Sequence, residues 1–328
     1  MKQQIIDLWK QSFGDSDEFI ALFFDRVYKE ENTLVIKKNG TVISALQILP
    51  YEMTYCGTTI PAGYICGVCT LPSEQGKGFM TQLMFTAIEE MQSSNYTLAL
   101  LIPASPQLFD LYRRFEFANA FDYSTEEIYR ENPTNEQECT PANNPGSGFR
   151  IVSQDNLSPD TIYAYYHFKQ RTHDCTVLHS AYQFETIRRD WILGKGEIWM
   201  AFLHDQPAGL TFTMLSASET VSIREIMVEN TETKNALVQS VLNHYQLPKA
   251  ILRVPPTPAN SIRYGMARVI DKEQMIELYR SSLMGVQSSR FKVQGSNLPD
   301  FINSDIPSLT QTLLKYEQRQ AFMNLMMD

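Results

Sequence analysis

Six consecutive residues, Gln75-Gly76-Lys77-Gly78-Phe79-Met80, carry the most specific chemical pattern in this chain. They follow an apolar stretch from Ile60 to Leu71 and a proline, and they lead into residues with helical spacing. Glycines at 76 and 78 let the backbone bend tightly and bring N–H groups close to a ligand. A helix opening there adds unpaired N–H groups and the positive end of its dipole. Together these make an anion site suited to a pyrophosphate. An ordinary strand–turn–helix connection shares the short glycine pattern, so the flanking residues must decide.

Spacing excludes two common nucleotide loops. A Walker loop needs a glycine ahead of Gly-Lys-[Ser/Thr], but Leu71 and Gly78 stand at the relevant places around Lys77. A dinucleotide fingerprint needs a third glycine where Thr81 stands. The segment instead resembles motif A of the GNAT superfamily of acyl-CoA-dependent N-acyltransferases, a Gln/Arg-x-x-Gly-x-Gly/Ala loop. Gln75, Gly76, Lys77, Gly78 and Phe79 fit it, and Met80 departs at the last position.

The resemblance implies acetyl transfer from a CoA thioester to an amine, with acetyl-CoA as cosubstrate and no metal. Such transfer holds the pyrophosphate, polarises the thioester carbonyl, deprotonates the ammonium and reprotonates the thiolate. Residues 75–80 serve the first task. Val68, Cys69 and Thr70, at the end of the preceding strand, are placed to offer free N–H groups for the second. One such donor is typically worth about 3 kcal/mol. Downstream, the run from Leu108 to Phe117 resembles the GNAT signature Tyr-x-x-x-Gly-Phe, whose tyrosine faces the CoA sulfur as general acid. Tyr112 and Phe117 fit, and Glu116 replaces the glycine. A tyrosine on an apolar helix is more often a core residue; the place of Tyr112 relative to the loop favours the acid. The base has no obvious bearer. All five histidines (His167, His173, His179, His204, His244) lie beyond residue 166, and Ile60–Leu71 contains no Asp or Glu.

The elements that must position these groups follow from periodicity. Ile5, Ile6, Trp9 and Phe13 mark a first helix, and a second begins after Asp15-Ser16-Asp17-Glu18. Strands are expected at Thr33–Lys37, Val42–Tyr51, Glu52–Cys56 and Ile60–Leu71, with Lys38-Asn39-Gly40 as a hairpin turn. A helix over Gly76–Met91 shows an apolar stripe of Phe79, Leu83, Met84, Ala87, Ile88 and Met91. A short strand (Tyr96–Ile102), a helix (Pro106–Phe115) and a strand (Phe117–Tyr129) complete residues 1–130, the element order of a GNAT domain. Residues 131–149 are polar and rich in Pro and Gly, and read as a linker.

The pattern then restarts over 150–260. Strand Arg150–Val152 and helices Pro159–Arg171 and Tyr182–Leu193 come first. Strands Glu197–His204, Ala208–Ser216 and Val221–Val228, helix Lys234–Tyr245 and strand Ala250–Val254 follow. Where the first copy has its glycine loop, this one has Glu229-Asn230-Thr231-Glu232-Thr233-Lys234-Asn235. It has no glycine, and two carboxylates sit where a pyrophosphate would lie, so it reads as a degenerate GNAT-like domain without CoA. Residues 261–328 form a short C-terminal segment, with a strand–helix over Ala267–Leu283 and a helix over Ile306–Lys315. The expected class is α/β (α+β): two tandem GNAT-like domains, with mixed, mostly antiparallel sheets flanked by helices, plus a short C-terminal α+β piece.

Composition bounds the partners. Over 328 residues, 43% hydrophobic content and 16 prolines describe a globular chain. A net charge of −9 argues against general nucleic-acid binding and tolerates a cationic amine acceptor. The five cysteines (Cys56, Cys66, Cys69, Cys139, Cys175) form no disulfide framework. Cys66 and Cys69 form a C-x-x-C, but alternation in a strand puts them on opposite faces, as core residues rather than a metal or redox pair. With neither a leader-like apolar N-terminus nor a membrane-length apolar run, the expected location is the cytoplasm.

Two GNAT-like domains, only the first with motif A, followed by a C-terminal piece, resemble the enhanced intracellular survival (Eis) acetyltransferases. In that family the tyrosine of an Ile-Tyr-Gly-Arg-Phe segment is the acid, matching Leu111-Tyr112-Arg113-Arg114-Phe115 here. Its base is the terminal carboxylate, which corresponds to Asp328. The Eis C-terminal domain is sterol-carrier-like and larger than residues 261–328. The resemblance implies a small-molecule or peptide amine acceptor and association into a homo-oligomer. Two alternatives remain: a FemX-like acyl or aminoacyl transferase on a doubled scaffold, and a non-catalytic acyl-CoA-binding regulator.

Overall fold

The computed structural model describes residues 1–131, 148–216, 219–257, 260–287, 301, 304–314, 321 and 323. Most of the expected linker, Cys139 and Asp328 lie outside the described residues. The chain opens with helices α1 (Lys2–Ser12) and α2 (Asp17–Arg26). Ser16 caps α2 by accepting the N–H of Phe19, as the acidic run around it implies. The two helices bury Ile5, Leu8, Trp9, Ile20, Phe23 and Phe24 in one cluster.

Strands β1 (Thr33–Lys38), β2 (Thr41–Tyr55) and β3 (Thr58–Thr70) form an antiparallel meander. The two strands expected on either side of residues 51–52 are one strand. Pro50 is tolerated inside it because β1 pairs with β2 only up to Gln47, leaving that edge uncovered where the proline lacks an N–H. Helix α3 (Phe79–Ser93), strand β4 (Leu98–Leu101), helix α4 (Leu108–Arg113) and strand β5 (Ala118–Tyr129) follow. Helix α3 buries Leu83, Met84, Ala87, Ile88 and Met91 against the sheet, the stripe read from the sequence without Phe79. Burying a large apolar side chain is worth roughly 1.5–3 kcal/mol before entropy is counted, so this face holds the helix in place.

The second half repeats the order. It contains β6 (Phe149–Ser153), α5 (Pro159–Arg171), β7 (Val177–Leu178), α6 (Ala181–Leu193) and β8 (Glu197–Leu203). Then come β9 (Gln206–Leu215), β10 (Val221–Val228), α7 (Thr231–Tyr245) and β11 (Lys249–Val254). The chain closes with β12 (Ile262–Val269), α8 (Lys272–Gln287) and α9 (Ile306–Leu313).

Among the described residues the strands run β1-β2-β3-β4-β12-β5-β11-β10-β9-β8-β6, with β7 paired to β2. Only β3–β4 and β10–β11 are parallel, so the fold is mixed α/β with a large, mostly antiparallel sheet flanked by helices. Strand β12, from the segment after residue 261, lies between β4 and β5 in the sheet of the first half. Strand β5 spans both halves: Ala118–Tyr123 pair with β12, and Ser124–Tyr129 pair with β11.

Candidate active site

The site begins where two parallel strands part. Strand β3 pairs with β4 only through Ala62–Tyr64 against Leu98–Leu100, and beyond that the two diverge. On its other side β3 stays paired with β2, with Cys66 opposite Gln47 and Cys69 opposite Ala45. Three residue steps on β3 against two on β2 make a bulge at Gly67 and Val68. Gly67 has φ +59°, and a Cβ there would lie 2.5 Å from the Trp9 ring. Trp9 is itself fixed by Nε1 donating to Asp15 Oδ2 at 2.7 Å. Helix α1 therefore sets the bulge through one close contact.

The bulge also decides which groups face the gap. Leu71 N–H donates to the Ile43 carbonyl at 2.9 Å, and Ser44 Oγ donates to the Cys69 carbonyl at 2.9 Å. Backbone groups alternate along a strand, so the Cys69 amide faces β2 and the Thr70 amide faces away from it. Gln75 Nε2 donates to the Thr70 carbonyl at 3.3 Å, tying the loop to that open side. Cys66 and Cys69 pack against the same α1–α2 cluster, because the extra residue of the bulge cancels the alternation expected from their spacing. Neither is in a disulfide, and burial pushes the thiol of Cys69 up to about 12.

In the loop, Gly76 and Gly78 have φ +74° and +85°, and a Cβ at either would meet nothing within 4 Å. Backbone conformation, not crowding, requires glycine there. Gly78 is the N-cap of α3; it provides no side-chain cap, and the first turn carries no acid. The helix's positive end is thus left open to an anion. Lys77 is not aimed outward. Its Nζ donates to the Ser73 carbonyl and Glu74 Oε2, each at 2.9 Å, while Lys38 Nζ holds Glu74 Oε1 at 2.9 Å. Hydrogen bonds from Lys77 and Lys38 hold the Glu74 carboxyl below its usual range. Phe79 is half-buried, and Val68 and Met80 pack against the cluster that contains Tyr112.

Tyr112 sits on α4 with only 7% of its surface exposed, its ring 6.3 Å from that of Phe117. Burial pushes its pKa up to about 12, so at neutral pH it holds its proton.

At Glu116 the chain keeps φ +62°, a left-handed conformation natural to the glycine of the signature it resembles. Arg268 of β12 secures the turn, donating from Nη2 to Glu116 Oε2 at 2.8 Å and from Nε to the Phe115 carbonyl at 3.1 Å. Sequence reasoning missed Arg268. The available signal was a buried-type position occupied by arginine, between Ala267 and Val269.

The corner in the second half is built otherwise. Asn230 caps α7, its side chain accepting from Thr233 N–H at 2.8 Å. Glu229 accepts from the Tyr165 hydroxyl at 3.1 Å and lies 3.5 Å from Lys169 Nζ. The absence of a glycine loop there, read from the sequence, thus coincides with a helix end that the chain satisfies itself. Among the described residues no cluster of His, Cys, Asp or Glu stands ready to hold a metal, and no helix is long and apolar enough to cross a membrane.

Residues 2–120 match the family model of an acetyltransferase (GNAT) domain. No curated protein matches the sequence. Among solved structures, a probable N-acyltransferase from Enterococcus faecalis is similar at 14% identity and TM-score 0.65, covering 82% of this chain and 70% of that one. Eis1 from Mycobacterium abscessus is similar at 14% identity and TM-score 0.63, covering 84% and 72%. A GCN5-related N-acetyltransferase from Anabaena variabilis is similar at 17% identity and TM-score 0.62, covering 84% and 72%. At such identities the likeness is one of fold. Over residues 2–120 the chain is thus similar to an acetyltransferase (GNAT) domain.

Proposed function

We propose that the chain is an acetyl-CoA-dependent N-acetyltransferase that acts on a primary amine by direct transfer. The observation that carries this reading is the open corner of the first half: two positive-φ glycines leading into an uncapped helix, beside the gap between β3 and β4. The N–H groups of the loop Gln75–Met80 and of the first turn of α3 receive the pyrophosphate of CoA. Glycines at 76 and 78 keep the approach to those groups free of side chains.

The thioester carbonyl lies in the gap, where the Thr70 amide faces away from β2 and the Val68 amide adjoins the bulge. In that reading Cys69 supports the wall rather than donating. The amine nitrogen attacks the carbonyl carbon, the C–S bond breaks, and the departing thiolate takes the proton of Tyr112. A phenol raised to about 12 by burial is too weak an acid to lose that proton to water at neutral pH. The thiolate forms in the same desolvated gap, where burial raises its basicity too, and it takes the proton as the C–S bond breaks. The ammonium proton goes to water or to the terminal carboxylate of Asp328, the base that the Eis resemblance implies.

The direct test is ligand-linked stability. Acetyl-CoA at about a hundred times its Kd raises stability by about 2.7 kcal/mol, seen as a higher Tm. Thiol release over a panel of primary amines then separates transfer from binding alone. An unchanged Tm at saturating acetyl-CoA contradicts the reading, and a shift without any thiol release favours a regulator.

A further inference from the structure

The second half keeps the parting strands but not the glycine loop. Strand β10 runs parallel to β11 only through Val221–Ile223 against Ala250–Leu252, and a register shift between Ile223 and Glu225 marks a bulge against β9. Beyond that point the strands diverge around a cavity of about 650 Å³, walled by residues 225–228 and 253–256. The connection to α7 is too short to carry a loop like that at 72–78, and Asn230 closes the helix end. This cleft therefore has the geometry of the first half's site without its anion-binding corner.

Its chemistry centres on two residues facing the same space. Glu225 lies on the bulged stretch with 2% of its surface exposed. Arg253 holds its guanidinium 4.2 Å from the Tyr123 ring centroid and 4.4 Å from that of Tyr264, so the rings fix its plane. Its Nε is buried and meets no acceptor among the described residues. A buried donor left unsatisfied is costly, and a ligand oxygen relieves the cost.

The neighbouring lysines are engaged elsewhere. Lys234 pairs with Glu126 at 2.6 Å and Lys169 with Glu229 at 3.5 Å. Arg253 forms no salt bridge of that kind among the described residues.

A planar guanidinium matches a carboxylate in two-point geometry. A dianionic phosphate fits less well, because Asp174 faces the same cavity and repels it. We propose that the second-half cleft binds a small molecule carrying both a carboxylate and an amine, the carboxylate on Arg253 and the ammonium on Glu225. Burial pushes the Glu225 carboxyl up to about 8 against the opposing pull of Arg253. A bound ammonium favours its ionised form, so each end of the ligand meets an opposite charge. The cleft also borders strands of the first-half sheet, through Tyr123 of β5 and Tyr264 of β12, which flank Arg253. Binding there does not depend on transfer.

Binding is measured on the full chain without acetyl-CoA, by saturation-transfer NMR with titration. The probes are β-alanine, γ-aminobutyrate and ε-aminocaproate, with hexylamine, hexanoate and inorganic phosphate as controls. At least one amino acid of the series binds more tightly than any control. Arg253→Gln and Glu225→Gln each weaken it by about tenfold or more. Arg253→Lys, which keeps the charge but not the planar fork, also weakens it and serves where the Gln variant folds poorly. The proposal is overturned if no member of the series binds, if hexylamine or phosphate binds equally well, or if folded Arg253 variants bind as the wild type does. A negative result leaves acetyl-CoA binding and thiol release unaffected, so this proposal and the transfer reading fail separately.

Discussion

The starts of α3 and α7 are the same structural corner built with opposite chemistry. Both follow a bulged strand that parts from a parallel neighbour. At α3 the corner is two left-handed glycines, no cap and no acid in the first turn. At α7 an asparagine fills the cap, and Glu229 and Glu232 crowd the approach. An open helix end is a standing demand for an anion; a capped one has already been satisfied within the chain. The difference teaches that a repeated scaffold keeps its gap more readily than its ligand. The gap comes from strand pairing, whereas the ligand comes from a handful of side chains and φ values.

Four substitutions and one pH effect put the comparison at risk, from the largest expected effect to the smallest. Tyr112→Phe lowers kcat by about a hundredfold or more while leaving acetyl-CoA affinity nearly intact. Steady-state kinetics beside a binding titration check it, and an unchanged kcat removes Tyr112 from the acid role. Gly67→Ala forces a side chain into a left-handed position and into the Trp9 ring. A loss of about 2–4 kcal/mol in denaturant unfolding is expected, with weaker thioester turnover because the bulge shifts.

Gly78→Ala costs about 1–2 kcal/mol in strain and weakens acetyl-CoA binding. Asn230→Ala, at the matching corner, costs about 1 kcal/mol of stability and leaves acetyl-CoA binding unchanged. If both variants affect acetyl-CoA alike, the asymmetry between the corners is wrong.

The last is a pH effect. Burial raises Glu225 from its ordinary 4.5 to about 8, so folding favours its protonated form. Its contribution is full below about 4.5 and is lost as pH rises through about 8. Tm measured between those limits should fall for the wild type relative to Glu225→Gln. Parallel curves for the two proteins would show that Glu225 is not a buried, proton-holding carboxyl.

Much of the fold was legible from periodicity. The stripe on α3 and the strands of both halves fall close to their expected places, because amphipathic spacing is a local property. The merging of β2 across Pro50 was not legible, since it depends on where β1 stops. Nor was the pairing of β7 with β2, two residues whose partner lies more than a hundred positions away. The glycine loop could be read because its spacing is local. The orientation of Cys69 could not, because one bulge residue reverses what alternation predicts. Glu225 stood unmarked in an alternating strand, and only its burial in a shared cavity with Arg253 gave it meaning.

By itself, the sequence determined where glycine must free the backbone, which helix faces are apolar, and that only one of the two copies carries a glycine loop. These follow from residue types a few positions apart. Tertiary structure alone decided that β12 returns to lie between β4 and β5, that Arg268 clamps the turn after Tyr112, and that Arg253 is held between two tyrosines from separate strands. Each joins residues tens to hundreds of positions apart. The free energy of such contacts comes from burial and hydrogen bonding that exist only after the chain has closed on itself.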